Sequence, residues 1–232
     1  LADAPSRVVI EGGTHAMAAP PFEFIARTLL PVIAKMGPQV TVTLERHGFY
    51  PRGGGRIVVE FDPAPLSAVE LIDRGAPVSY EAEAIIAGVP FDVASRELGA
   101  MRKVLGDWPE DSFTTRQLSA EEGPGNAVLI TSAFENVTEV MSGFGKLGVP
   151  AERVGQTAAK RLAGYIASGA FAGPYLQDQL LIPLALARGG AFTSVKLSLH
   201  TRTAFDLIER FTGTGFRVGE REDKRLLVEV RR

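Results

Sequence analysis

The sequence has no cysteine in 232 residues, which excludes a disulfide framework, a thiolate metal site and a cysteine nucleophile. Tryptophan occurs once and histidine three times, so imidazole chemistry is confined to His15, His47 and His200. No apolar run is long enough for a helical membrane span and no signal-peptide pattern is present, so the expectation is no membrane contact and a cytoplasmic location. Neither sign of charge dominates. With 25 basic and 27 acidic residues the net charge is −2, and any nucleic-acid contact must come from local clusters. An initiator methionine is also lacking, and the expectation is a fragment or a chain whose front part is absent, that part being missing or on a separate chain. The remaining composition, 45% hydrophobic and 22% charged, suits one large globular domain or two modest ones.

What is present reads as short α/β units. Residues 7–10 have a strand pattern and lead into Glu11-Gly12-Gly13-Thr14-His15. Pro20-Pro21 then opens a helix, where the missing proline N–H costs nothing, and Gly37-Pro38 ends it. Stepping about 100° per residue puts Phe22, Ile25, Leu29, Val32, Ile33 and Met36 on the core stripe. Phe24 falls off that stripe and shares a second face with Pro20, either another packing surface or a platform for a flat ligand. Strands over 39–45 and 55–61 follow, joined by a glycine-rich connection. In and beside it, Arg46, Arg52 and Arg56 form either a small basic patch or a solvated face.

The C-terminal part repeats this order, with a strand at 192–199, a helix at 203–211 and strands at 215–220 and 224–231. Two βαββ units predict an α/β fold, with helices layered on mixed sheets, over 1–87 and 170–232. Between them, 88–169 reads as a small inserted α+β domain. It has helices at 93–105 and 151–167, strands at 112–118, 127–134 and 137–142, and a Gly123-Pro124-Gly125-Asn126 turn. A last helix over 175–187 buries Leu176, Leu180, Leu184 and Ala187. Its other face carries Tyr175, Asp178 and Gln179, neighbours at i, i+3 and i+4.

The chemistry concentrates at 194–211. Val195, Leu197 and Leu199 alternate with Ser194, Lys196 and Ser198 as in a half-buried strand; then Ala204, Ile208 and Phe211 share a helical face. Thr203 with Asp206 has the form of a capping box. His200 therefore stands where a strand hands over to a helix N-terminus, beside unpaired N–H groups and the positive end of the helix dipole. That is a place for an anion with an imidazole over it, although a histidine at such a junction is more often a satisfied polar residue than a catalyst. His15, in a loop before a helix, is a candidate substrate contact, and His47 is read as ordering its own loop.

These residues carry a family pattern. Ala2-Asp3-Ala4-Pro5-Ser6-Arg7, Gly12-Gly13-Thr14 and Ala19-Pro20-Pro21-Phe22-Glu23-Phe24 come first. Arg46-His47-Gly48-Phe49-Tyr50-Pro51 with Gly53-Gly54-Gly55, Gly123-Pro124-Gly125-Asn126, Tyr175-Leu176-Gln177-Asp178-Gln179 and the His200 junction follow in order. With them the whole chain resembles the RNA 3'-terminal phosphate cyclases. The resemblance implies ATP as cosubstrate and an RNA 3'-phosphate end as partner. It also implies a divalent metal, Mg or Mn, whose ligands lie mainly in the absent front part. His200 matches the nucleophile that takes AMP. Pro20, Phe24, Tyr175 and Asp178 match adenosine-holding positions, and Gln179 a position in the nucleotide pocket. One departure is Ala204, where members of the family often have asparagine. Two other readings stay open: a non-catalytic relative in ribosomal RNA maturation, and an enolpyruvyl-transferase-like enzyme on similar repeats.

Overall fold

The structure is a computed structural model that describes residues 3–231; Leu1, Ala2 of the opening motif and Arg232 lie outside the described residues. The fold is mixed α/β, with three small sheets and helices between them. The first unit runs β1 (Ser6–Gly12), α1 (Phe22–Phe24), a π-helical turn over Ile25–Leu29, α2 (Leu30–Lys35), β2 (Val40–Arg46) and β3 (Gly55–Phe61). Its three strands are antiparallel in the order β1-β3-β2. Register places Val8, Val59 and Val42 side by side, and likewise Ile10, Ile57 and Leu44, so one face is almost wholly apolar. Val8 is 43% exposed and Ile10 50%, because the helical run makes its main contacts with another part of the chain.

Pro31 explains the π-turn. It has no N–H to return to the Arg27 carbonyl, so the ladder of hydrogen bonds slips by one residue just before it. Beyond that slip a uniform 100° step no longer describes the helix. Phe24, Thr28, Val32 and Met36, each four apart, form the buried stripe, with Glu23 buried beside it, while Phe22, Ile25, Leu29 and Ile33 are only half-buried. The off-core face expected for Phe24 is therefore corrected: Phe24 is fully buried and belongs to the main core.

After β4 (Glu70–Leu71) the chain enters β5 (Pro77–Ala87), which leads to α3 (Phe91–Leu105), β6 (Phe113–Leu118), β7 (Gly125–Phe134), β8 (Thr138–Phe144) and α4 (Ala151–Ser168). The sheet order is β6-β5-β7-β8. β5 lies inside this sheet, paired to β6 and β7, so the inserted module begins ahead of residue 88, where the sequence reading began it. Ala82, Glu83 and Ala84 favour helix in isolation; pairing on both edges overrides that preference. The sheet is buried on both faces, and its residues alternate between two cores. Ala82, Ala84, Val128 and Ile130 face α3 and α4, while Ile85, Ala87, Ala127 and Leu129 face the π-turn helix.

The last unit holds α5 (Leu176–Gln179), α6 (Leu181–Ala187), β9 (Ala191–Ser194), α7 (Leu199–Thr212), β10 (Gly215–Glu220) and β11 (Leu226–Arg231). Strands β9, β11 and β10 are antiparallel in the same spatial order as β1, β3 and β2, so the repeat read from element order is a repeat of topology. β4 adds to this sheet, parallel to β9. Among the described residues no helix is long and apolar enough to cross a membrane.

Two of the motif stretches meet at Gly125. A Cβ there would come within 2.1 Å of the Phe49 ring, so only glycine lets the hairpin loop seat on β7. Gly125→Ala should destabilise by about 1–3 kcal/mol, the usual cost of overpacking. In a Phe49→Ala background the same change should cost clearly less. Urea denaturation of the four proteins in this cycle measures the coupling.

Candidate functional site

The site begins with the start of α7. Leu197 is buried and Ser198 adopts the extended backbone of an N-cap; its Oγ accepts the Thr201 N–H at 3.0 Å, with Thr201 itself buried. The helix thus opens at Leu199, and neither the strand expected to 199 nor the Thr203–Asp206 cap is present: β9 ends at Ser194. The apolar alternation failed because Leu199 points to solvent, 82% exposed, and the part-buried Ser198–Thr201 pair decides where the helix starts. His200 is the second residue of α7. Its side chain is exposed, and no described residue hydrogen-bonds its ring. Ala204, half-buried, packs against the main core.

The helix expected over 175–187 is broken at Leu180, since Pro183 cannot donate to Gln179. The short α5 segment packs against both the π-turn and α7. Tyr175, half-buried, meets Phe24 edge-on with ring centroids 5.7 Å apart. Asp178 is half-buried; desolvation raises its carboxyl above the ordinary range, opposed by its own backbone N–H and by the nearby His200 imidazole. Pro20 is half-buried and Gln179 exposed. The structure therefore brings Tyr175 to Phe24 and packs α5, which carries Asp178, against α7, which carries His200. With no exposed surface, Phe24 supports the Tyr175 ring from behind and cannot offer its own face to a base.

Gln177 was missed by the sequence reading. It is buried; its Oε1 accepts from Ser194 Oγ and from the Ser198 N–H, each at 3.4 Å, and its Nε2 donates to the Pro174 carbonyl at 3.2 Å. One amide therefore ties the Tyr175 turn to the cap of α7. Its place inside the Tyr175–Gln179 motif was the available signal. Glu139, fully buried on β8, accepts the Gly173 N–H at 3.1 Å and holds the same turn from the other side. Burial pushes its carboxyl up to about 8, the Gly173 bond only partly offsetting this.

A second polar centre lies between the first unit and the inserted module. Thr14 N–H and His15 N–H both donate to the Gly48 carbonyl, at 2.8 and 3.0 Å, which zips the two loops together. His15 and Glu23 are buried, with Nε2 to Oε2 at 2.9 Å. Burial would raise Glu23, but the His15 hydrogen bond and charge outweigh it and hold the carboxyl below its ordinary range. His47 pairs with Glu122 through Nδ1 at 3.1 Å, and burial together with His15 lowers its basicity. His15 also lines a mainly apolar cavity of about 660 Å³ that reaches Phe49, Val93, Glu97 and Asn126. Burial pushes Glu97 up to about 7 there. Of the three arginines, Arg56 is ion-paired to Glu11 and Glu45, while Arg52 donates to the Glu121 carbonyl at 2.7 Å and Arg46 to the Gly54 carbonyl, bonds that order both side chains but leave their charges uncompensated.

Comparison with known proteins bears on this arrangement. The family model of RNA 3'-terminal phosphate cyclase matches residues 1–218. The chain is similar to proteins of that name from Koribacter versatilis, 47% identical over 96% of this chain and 63% of the relative, and from Ralstonia nicotianae, 44% over 91% and 60%. A third, from Ectopseudomonas mendocina, is 42% identical over 99% and 67%. The chain thus spans about three fifths to two thirds of the length of these curated relatives.

The Glu139 carboxyl yields a pH dependence. Raised in the folded state from 4.5 to about 8, it is protonated at neutral pH, so folding takes up a proton between those values. Its contribution is fully present below pH 4.5 and is lost as pH rises through about 8. Glu139→Gln should flatten the fall in stability, by up to a few kcal/mol at the alkaline end. Denaturant midpoints of wild type and variant across this range are the measurement.

Proposed function

Because the chain belongs to the RNA 3'-terminal phosphate cyclase family, we propose that the protein is a nucleotidyl-transferring ligase of RNA processing. It converts an RNA 3'-phosphate into a 2',3'-cyclic phosphate at the expense of ATP. The observation that carries the reading is His200, exposed on the first turn of α7 and beside Asp178, with neither ring nitrogen bonded to a described residue. In the first step a His200 ring nitrogen attacks the α-phosphorus of ATP through its lone pair. An N–P bond forms, the bond to the bridging oxygen breaks, and pyrophosphate leaves. The AMP then passes to an oxygen of the RNA 3'-phosphate, regenerating the imidazole. In the last step the neighbouring 2'-hydroxyl attacks that phosphorus, losing its proton, and AMP departs as the cyclic ester closes. The α7 N-terminus, with its unpaired N–H groups and dipole, favours the charge that builds on phosphate.

Tyr175, backed by Phe24, is the proposed wall for the adenine, with Pro20 at its edge. Asp178 is the proposed acceptor for an adenosine hydroxyl or amine, and Gln179 an exposed contact to the nucleotide. Mg or Mn accompanies ATP in this proposal. The described residues bring no group of three metal-ligating side chains to His200, so no step is assigned to a metal there. Its ligands belong instead to the length by which the relatives exceed this chain, which we place ahead of Leu1. The open apolar face of β1-β3-β2 supports a further segment or chain packing there. The proposed location is cytoplasmic.

The experiment uses protein that includes this additional region. Incubated with divalent metal and ATP labelled at the α-phosphorus, wild type should retain acid-labile label and His200→Asn should retain none. Unlabelled wild type under these conditions would transfer the reading to a non-catalytic relative.

A further inference from the structure

The centre formed by His15, Glu23 and His47 is not needed by the chemistry proposed for His200, yet it is built as a ligand set. We propose that these three side chains bind one divalent cation of borderline softness, zinc or a first-row neighbour such as cobalt. One donor atom from each lies within 4.8 Å of the other two. The decisive atom is His47 Nε2. It is shielded from solvent and has no hydrogen-bond partner, although nearly all buried polar atoms in folded proteins find one. The other ring nitrogen, Nδ1, lies 3.1 Å from Glu122 Oε2, an acceptor that places the ring proton on Nδ1 and leaves the lone pair on Nε2. Metal-binding histidines are held in this way, by a carboxylate behind the ring.

His15 has the same construction. Its Nδ1 is 2.8 Å from Thr14 Oγ1, and its Nε2 is 2.9 Å from Glu23 Oε2. Without a cation, Nε2–H donates to Glu23 and the Thr14 hydroxyl donates to Nδ1. With a cation, the ring proton moves to Nδ1 and donates to Thr14 Oγ1, whose own proton turns to the Gly48 carbonyl 3.5 Å away. No proton leaves the site. Two neutral imidazoles and one carboxylate leave a net charge of +1 on a divalent ion, and Glu122 behind His47 balances it. The donors of a tetrahedral zinc site stand about 3.3 Å apart, given bonds near 2.0 Å. His15 and Glu23 are already closer than that, so a small inward movement of His47 completes the set. Three protein ligands leave a fourth position for water, and the cavity that His15 lines gives a route for entry. Because Glu122 lies in the inserted module, past β6, the ion would also fasten that module to the first unit.

The test does not depend on catalysis. Chelator-treated purified protein is titrated with Co²⁺ and then with Zn²⁺, following the visible absorption of the cobalt, bound metal by elemental analysis, and the melting temperature. The expected result is one ion per chain, an intense four-coordinate cobalt spectrum that Zn²⁺ abolishes at one equivalent, and a higher melting temperature. His47→Ala and Glu23→Gln should each weaken binding at least tenfold. Glu122→Gln, which removes only the carboxylate behind the ring, should weaken it by about 10–100-fold while keeping the spectrum. This last variant serves if the first two fail to fold. Wild type that binds neither metal, or binding that all three variants leave unchanged, overturns the proposal and reduces the centre to a buried His15–Glu23 pair.

Discussion

Burial of the β6-β5-β7-β8 sheet on both faces is the constraint from which the rest of the arrangement follows. A sheet with one wet face would alternate apolar and polar residues. Here Ile85 and Ile86, or Leu129 and Ile130, are successive buried residues that serve different cores. The second face needs a cover, and the helical run from Phe22 to Lys35 supplies it by leaving its own strands and lying against β8. Phe24 is thereby driven into the core beneath Tyr175. The β1-β3-β2 sheet loses its helix in the same exchange and keeps an apolar face partly in water.

Polar side chains then fix what the core only brings near. Gln177 links the Pro174 carbonyl, Ser194 and the N–H of Ser198, the cap of α7, and Ser198 sets where that helix begins. Glu139 holds Gly173 from the sheet side. None of these groups touches the His200 ring, yet together they decide which way the first turn of α7 faces. Buried polar networks of this kind restrict a site to one geometry because each group left unpaired away from water costs free energy. In the His15, Glu23 and His47 centre one ring nitrogen is left unpaired by every described residue, as one Glu139 oxygen is on β8.

Much of this was legible beforehand. The βαββ order of both ends, the amphipathic α3 and α4, and the strand pairs around Gly53-Gly54-Gly55 follow from period and from glycine and proline placement alone. Three features resisted. Phe24 was placed on the wrong face because a constant helical step ignores Pro31. β5 went unread because alanine and glutamate favour helix until two neighbouring strands claim them. The start of α7 was set too late because the Ser198–Thr201 cap outweighs the apolar alternation of Val195, Leu197 and Leu199.

By itself, the sequence determined the inventory: which short elements form, that they repeat, that Asp178 and Gln179 lie on one helical segment opened by Tyr175, and that one histidine stands at the start of a helix late in the chain. These are local properties, set by side-chain period and backbone restriction within a few residues. Tertiary structure alone decided the company each residue keeps. Phe24 lies under Tyr175, Asp178 beside His200, and His47 faces His15 with Glu122 behind it. Contacts between residues up to about 150 positions apart depend on which apolar faces must be covered, and no local pattern encodes that choice.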